Sequence, residues 1–188
     1  MKPGFLSLSL AFRSHSYGKH YFFDSGTTMD LTFQIKQQDD WEYIFFNGEI
    51  NEDAEVSLAG LHEQIGRQCV FNMKNISAIN SCGVRAWINF LREAEQSRDI
   101  IFEECPPEVV SQINMIPNFR GKSHIRSVFA SYVCDQCDHQ KLHLFQEGQN
   151  LPTNLDDDLP ELKCPECGDI MEMEELEDEF FGWLESGA

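Results

Sequence analysis

Residues 69–103 read CVFNMKNISAINSCGVRAWINFLREAEQSRDIIFE. Two short apolar runs, Cys69–Met73 and Asp99–Glu103, flank a stretch in which Val84, Trp87, Ile88, Leu91 and Ala94 recur at helical spacing. The pattern predicts a strand, a loop over Asn75–Asn80, a helix over Cys82–Ser97 and a second strand. Cys69 reads as a buried core residue and Cys105 as another, at a strand end.

Working toward the N-terminus, Leu31, Phe33 and Ile35 alternate with polar residues, as in a half-buried strand. Asp39-Asp40 marks a turn, Trp41–Phe46 a second strand, and Asn47-Gly48 its close. Leu58, Leu61 and Ile65 place a helix over Glu52–Ile65, stopped by Gly66. Toward the C-terminus, Pro106-Pro107 opens a short helix carrying Val109, Val110, Ile113 and Ile116, and His124–Val133 is a last strand. Strands alternating with helices make the fold class α/β, a mixed sheet covered by helices. Residues 1–28 show no sustained period and read either as a tail or as residues preceding a true start at Met29. The predicted organisation is therefore a tail over 1–28, an α/β domain over 29–129, a cysteine-rich ribbon over 130–174 and an acidic tail over 175–188.

Net charge is -18, and residues 130–188 alone carry sixteen acidic against two basic side chains. Phosphate backbones repel such a chain, so nucleic acid is a poor partner. No apolar run approaches the roughly 20 residues of a membrane span. Met1–Phe12 lacks the cleavage pattern of a signal peptide, and seven cysteines are an odd number for a disulfide framework. These features point to the cytoplasm and away from the membrane.

Cys134-Asp-Gln-Cys137 and Cys164-Pro-Glu-Cys167 are two CxxC knuckles separated by 26 residues. Each two-residue gap turns both thiolates of a knuckle to one side, and two knuckles close a tetrahedral sulfur shell that suits structural Zn²⁺. Four thiolates leave no open coordination position, which argues against zinc catalysis. Redox CxxC pairs are the competing reading. His139 and His143 are alternative ligands by proximity but fit better as hairpin side chains. The spacer holds Asp156-Asp157-Asp158, which lacks the alternating ligands of a calcium loop and reads as solvated.

Three segments, in order, carry a family resemblance: Phe46-Asn-Gly-Glu-Ile-Asn51, then Asn75 to Gly83 ending Asn80-Ser81-Cys82-Gly83, then Pro106-Pro-Glu-Val-Val. They resemble the strand and turn, the D-S-[ST]-G loop and the pre-helix segment of anti-sigma-factor antagonists, the STAS family, over about Leu31 to Phe129. The resemblance implies a STAS-like mixed sheet and a role in protein binding. It also implies a partner that is both serine kinase and anti-sigma factor, and a phosphate accepted by the serine matching Ser81. Two departures stand out: the family's Asp before the serine is Asn80, and its turn Asp is Asn51. In the resembled fold these two loops are neighbours. Read from the residues alone, Ser81 at a helix start is either a cap or a place where a phosphate gains from the helix dipole. Gly83 fits close approach of a partner's backbone.

Met171–Leu184 mixes six acids with Met173, Leu176, Phe180, Trp183 and Leu184 at helical spacing. This is either a recognition helix for a partner groove or, the favoured reading, a helix folded back on the ribbon or the sheet. No phosphate-binding glycine loop, GxSxG, HExxH or kinase signature occurs. Asn114, His62 and His124 near Cys105 or Cys82 would be coincidence rather than a nucleophile. The expectation is a regulatory protein-binding module and not an enzyme. The alternative is a zinc-ribbon protein associated with nucleic acid or transcription machinery.

Overall fold

The computed structural model describes residues 30–187, so the reading of residues 1–28 lies outside the described residues. The described residues are mixed α/β with two sheets. The first has the order β1-β2-β3-β4-β5, formed by Thr32–Gln38, Trp41–Ile50, Gln68–Ile79, Asp99–Glu103 and His124–Ile125. β1 runs antiparallel to β2 through the turn at Asp39, whose φ is 54°. The remaining neighbours are parallel. Parallel neighbours need crossovers, and these are the helices α1 (Ala54–His62), α2 (Ser81–Ala94) and α3 (Pro107–Met115).

Alternation within the strands sends Ile44, Phe46, Phe71 and Phe102 to one side, where they bury against Leu58 and Leu61 of α1 and Trp87, Phe90 and Leu91 of α2. Trp87 is the hub, and its indole N–H donates to the Phe119 carbonyl at 2.9 Å. The helical spacing found Trp87, Leu91 and Ala94. It overrated Val84 and Ile88, which are half-buried, and passed over Phe90.

Three boundaries differ from the sequence reading. The predicted loop over Asn75–Asn80 belongs mostly to β3, because β2 does not close at Asn47-Gly48. It continues to Ile50 through register shifts beside Phe45/Asn47 and Gly48/Glu49, with Gly48 at φ 108°. Turn-forming residues here make bulges inside a long parallel pair. Helix α1 stops at His62 rather than Ile65. Arg98 crosses from the α2–β4 connection to bond the carbonyls of His62, Ile65 and Gly66, using the backbone that a further helical turn would occupy.

The third difference is the predicted strand His124–Val133, which breaks at Arg126. β5 ends at Ile125 in the first sheet, and β6 (Ser127–Val133) starts the second. The amide of Arg126 still bonds Phe102, whereas Ser127 and Phe129 bond Cys105. Glu104, at φ 51°, donates its amide to the Ser127 hydroxyl at this corner.

The second sheet has the order β7-β6-β9-β8, adding Gln140–Gln146, Ile170–Met173 and Leu162–Lys163. Its buried Ala130, Tyr132, Phe145 and Met171 join the core that runs under the first sheet. The C-terminal segment folds back: α4 (Glu177–Phe180) and a 3-10 helix (Gly182–Gly187) pack on α3. Phe180, Phe181 and Trp183 are buried. The helical spacing expected across Met173–Leu184 fails in detail, since Met173 lies in β9 and Leu176 is 65% exposed. Among the described residues no helix is long and apolar enough to cross a membrane.

Candidate functional site

The two CxxC knuckles fold alike. In each, the first cysteine's amide donates to the carbonyl five residues on: Cys134 to His139 at 3.0 Å and Cys164 to Asp169 at 2.7 Å. In each, the residue after the second cysteine donates back to the first cysteine's carbonyl and takes positive φ: Asp138 at 56° and Gly168 at 84°. The tight turn at each hairpin end brings four sulfurs together. All four Sγ atoms lie within 4.8 Å of one another. Cys134–Cys167 is 3.4 Å, Cys137–Cys164 3.6 Å and Cys137–Cys167 3.7 Å.

These separations suit the metal-binding reading of the cysteines. A disulfide needs about 2.05 Å, and the cysteines are free. A tetrahedron of sulfurs each about 2.3 Å from a metal has edges of about 3.8 Å, close to what is found. Backbone amides also aim at the sulfurs: His139 at Cys137, Cys167 and Glu166 at Cys164, and Asp169 at Cys167. Burial opposes ionisation of Cys164, but these amides and the thiols of Cys137 and Cys167 outweigh it and bring Cys164 down to about 6. At Cys137 the His139 amide favours the thiolate, yet desolvation and the neighbouring sulfurs push it up to about 12. Sulfurs this close ionise together only around a cation. The four cysteines therefore fit a metal ion with an all-sulfur shell. Of the two histidines, His143 is edge-on to Tyr132 and Phe145 and bonds Asn150, while His139 contributes its carbonyl to the first knuckle. The Asp156–Asp158 run is a closed loop, Asp157 accepting from Thr153 and Asn154.

The second candidate lies at the start of α2. Ser81 is the first helical residue and is exposed, as is Cys82. The cap is Asn80, not Ser81: its Oδ1 accepts from the Gly83 amide at 2.9 Å, so Ser81 does not serve as the cap. Asn80 also donates its side-chain amide to Glu52 Oε2 at 2.8 Å and its backbone amide to Ile50 at 3.1 Å. That contact holds Glu52 below the usual carboxylate range. Asn51 is buried, and its Oδ1 accepts from Asp53 as the chain turns into α1. The turn after β2 and the start of α2 are thus one structure.

Gly83 explains the closeness. A Cβ on Gly83 would stand 1.9 Å from the Ile50 carbonyl oxygen and 2.7 Å from the Asn51 nitrogen. The backbone that approaches Gly83 is its own. From this turn a groove runs between α1 and α2, lined by Leu58, Ala59, Ala86 and Phe90 and rimmed by Glu52, Glu55, Arg85 and Glu93. No sequence motif announced it; it comes from two helices packed side by side.

Two of the remaining thiols, Cys69 and Cys105, are buried. Burial, with Glu42 adding and Arg98 opposing, pushes Cys69 up to about 11. Cys105 is fully buried and its thiol is raised beyond the ordinary range by that burial and by Glu103. Of the polar residues named beside them, His62 faces Arg98, Asn114 holds the carbonyls of Glu179 and Phe180, and His124 pairs with Glu147. Compared with protein-family models and with curated proteins, the chain matches none.

Proposed function

We propose that this chain is a regulatory protein-binding module of the anti-sigma-factor-antagonist, STAS, type, carrying a zinc ribbon as a structural element. One observation carries the reading: an exposed serine at the first position of α2, presented by an Asn80 cap and locked through Gly83 to the turn after β2. The strand order, with one antiparallel edge and parallel neighbours joined by helices, supports the same reading. A phosphate on Ser81 would stand at the α2 N-terminus, favoured by the helix dipole, with Arg85 one turn along the same helix. The partner would meet Ser81 and the α1–α2 groove, and the kinase and anti-sigma roles belong to that partner.

The metal in this reading is Zn²⁺. It fills a closed shell and stabilises strands of two and four residues that cannot fold by their own core. Binding rather than catalysis, and a cytoplasmic setting, complete the proposal.

The test is a pulldown from the native cell with wild-type chain and with Ser81→Asp, together with mass spectrometry of Ser81. The reading expects a partner lost on Ser81→Asp and a phosphorylated fraction of Ser81. A serine never modified, with partners unchanged by the substitution, would overturn it.

A further inference from the structure

The C-terminal segment is anchored by apolar side chains yet surrounded by its own negative charge. Phe181 meets Phe145 edge-on at 5.2 Å, Phe180 and Trp183 are buried, and Asn114 of α3 donates to the carbonyls of Glu179 and Phe180 at 3.1 and 2.9 Å. Where the segment leaves β9, Glu174 donates its amide to Ser131. The next residue, Glu175, is drawn inward, and its Oε2 is buried with no hydrogen-bond partner.

Two acidic groups act on Glu175: Glu174 beside it and Glu108 from α3. On β6 the titratable group at this corner is Tyr132, which is buried and faces Glu177. The ion pairs Lys74–Glu104, His124–Glu147 and Arg126–Glu103 lie elsewhere. A buried carboxylate oxygen without a partner, beside like charges, disfavours the ionised form.

We propose that residues 174–185 form a proton-controlled latch: with Glu175 protonated it holds the apolar surface of α3 and β7 covered, and loss of that proton loosens it. Burial first, then Glu174 and Glu108, raise the Glu175 carboxyl above its ordinary value, against a bond from its own amide. A group raised in the closed state binds its proton more tightly there than when released. The stabilisation is therefore complete below the ordinary glutamate range and is lost as pH rises through the raised value.

The test is hydrogen exchange on the full, metal-loaded chain from about pH 4 to about pH 8, corrected for the intrinsic rate. In the wild type, protection of residues 176–185 should fall by about threefold or more with rising pH, while β2 and β3 hold theirs. Glu175→Gln should keep the segment protected throughout. Glu108→Gln, at an exposed position, should shrink the fall and end it at a lower pH. A pH-independent wild type, or the same fall in Glu175→Gln, would overturn the latch.

Discussion

Around Trp87 five phenylalanine rings, Phe46, Phe71, Phe90, Phe102 and Phe119, have centroids within 6.1 Å of the indole. Around Cys134, itself buried at the end of the shared core, there are three other sulfurs within 4.8 Å. The first region is held by area: each aromatic side chain hides on the order of 150–250 Å² and adds ring geometry. The second has four cysteines placed to hold a metal ion, in hairpins whose β8 is two residues long. One region loses stability in increments when it is altered. The other, with four cysteines sharing one metal ion, should lose it all at once.

The largest expected effect follows from that contrast. Cys164→Ser, or removal of the metal by a chelator, withdraws a binding free energy on the order of 10 kcal/mol or more. Hydrogen exchange should show protection lost in β8 and β9 and retained in β2 and β3. If both sheets lost protection together, the contrast would be false and the shared core of Tyr132, Phe145 and Met171 would join them into one unit.

Gly83→Ala is next. The added carbon meets backbone, Ile50 oxygen at 1.9 Å, which no rotamer relieves, so α2 must move off the turn after β2. The loss should exceed about 4 kcal/mol, read by urea unfolding, and should fall on the aromatic sheet alone with metal binding intact. Phe181→Ala follows at about 3 kcal/mol. Because Phe181 touches Phe145 of the second sheet and its segment packs on α3, its loss should be felt in both regions. A loss confined to one would sharpen the division between them.

The two regions also differed in how openly the sequence announced them. Cys134, Cys137, Cys164 and Cys167 were legible as a set because coordination imposes a local spacing, and local spacing survives in sequence. The parallel sheet was legible in kind, from helical and strand periods. Its bulges were not: Asn47-Gly48 is written as a turn, and only its pairing with Asn75 and Ile76 keeps it extended. Gly83 was noticed for close backbone approach, but the approach of Ile50 spans 33 positions and leaves no local sign. Phe181 went unmarked because a four-residue helix followed by a 3-10 turn does not keep a 3.6 period. The inward turn of Glu175 is tertiary, and one more glutamate in an acidic run carries no sign of it.

The smallest effects sit at Asn80, and they probe how the serine turn is held. Asn80→Ala removes the cap and should cost about 1 kcal/mol. Asn80→Asp restores the carboxylate of the resembled loop and keeps a capping oxygen for the Gly83 amide, so it should cost less. It also replaces a donor by a charge at 2.8 Å from Glu52. In the wild type that donor lowers the Glu52 carboxyl, so its contribution is present above the ordinary glutamate range and is lost as pH falls through the lowered value. In Asn80→Asp the sign reverses: two facing carboxylates each titrate upward, and lowering the pH should tighten the turn. An NMR titration of the Glu52 side chain reads this directly. An unmoved midpoint would mean that the amide is not what ties the α2 start to α1, leaving the Gly83 contact with Ile50 to hold Ser81 in place by itself.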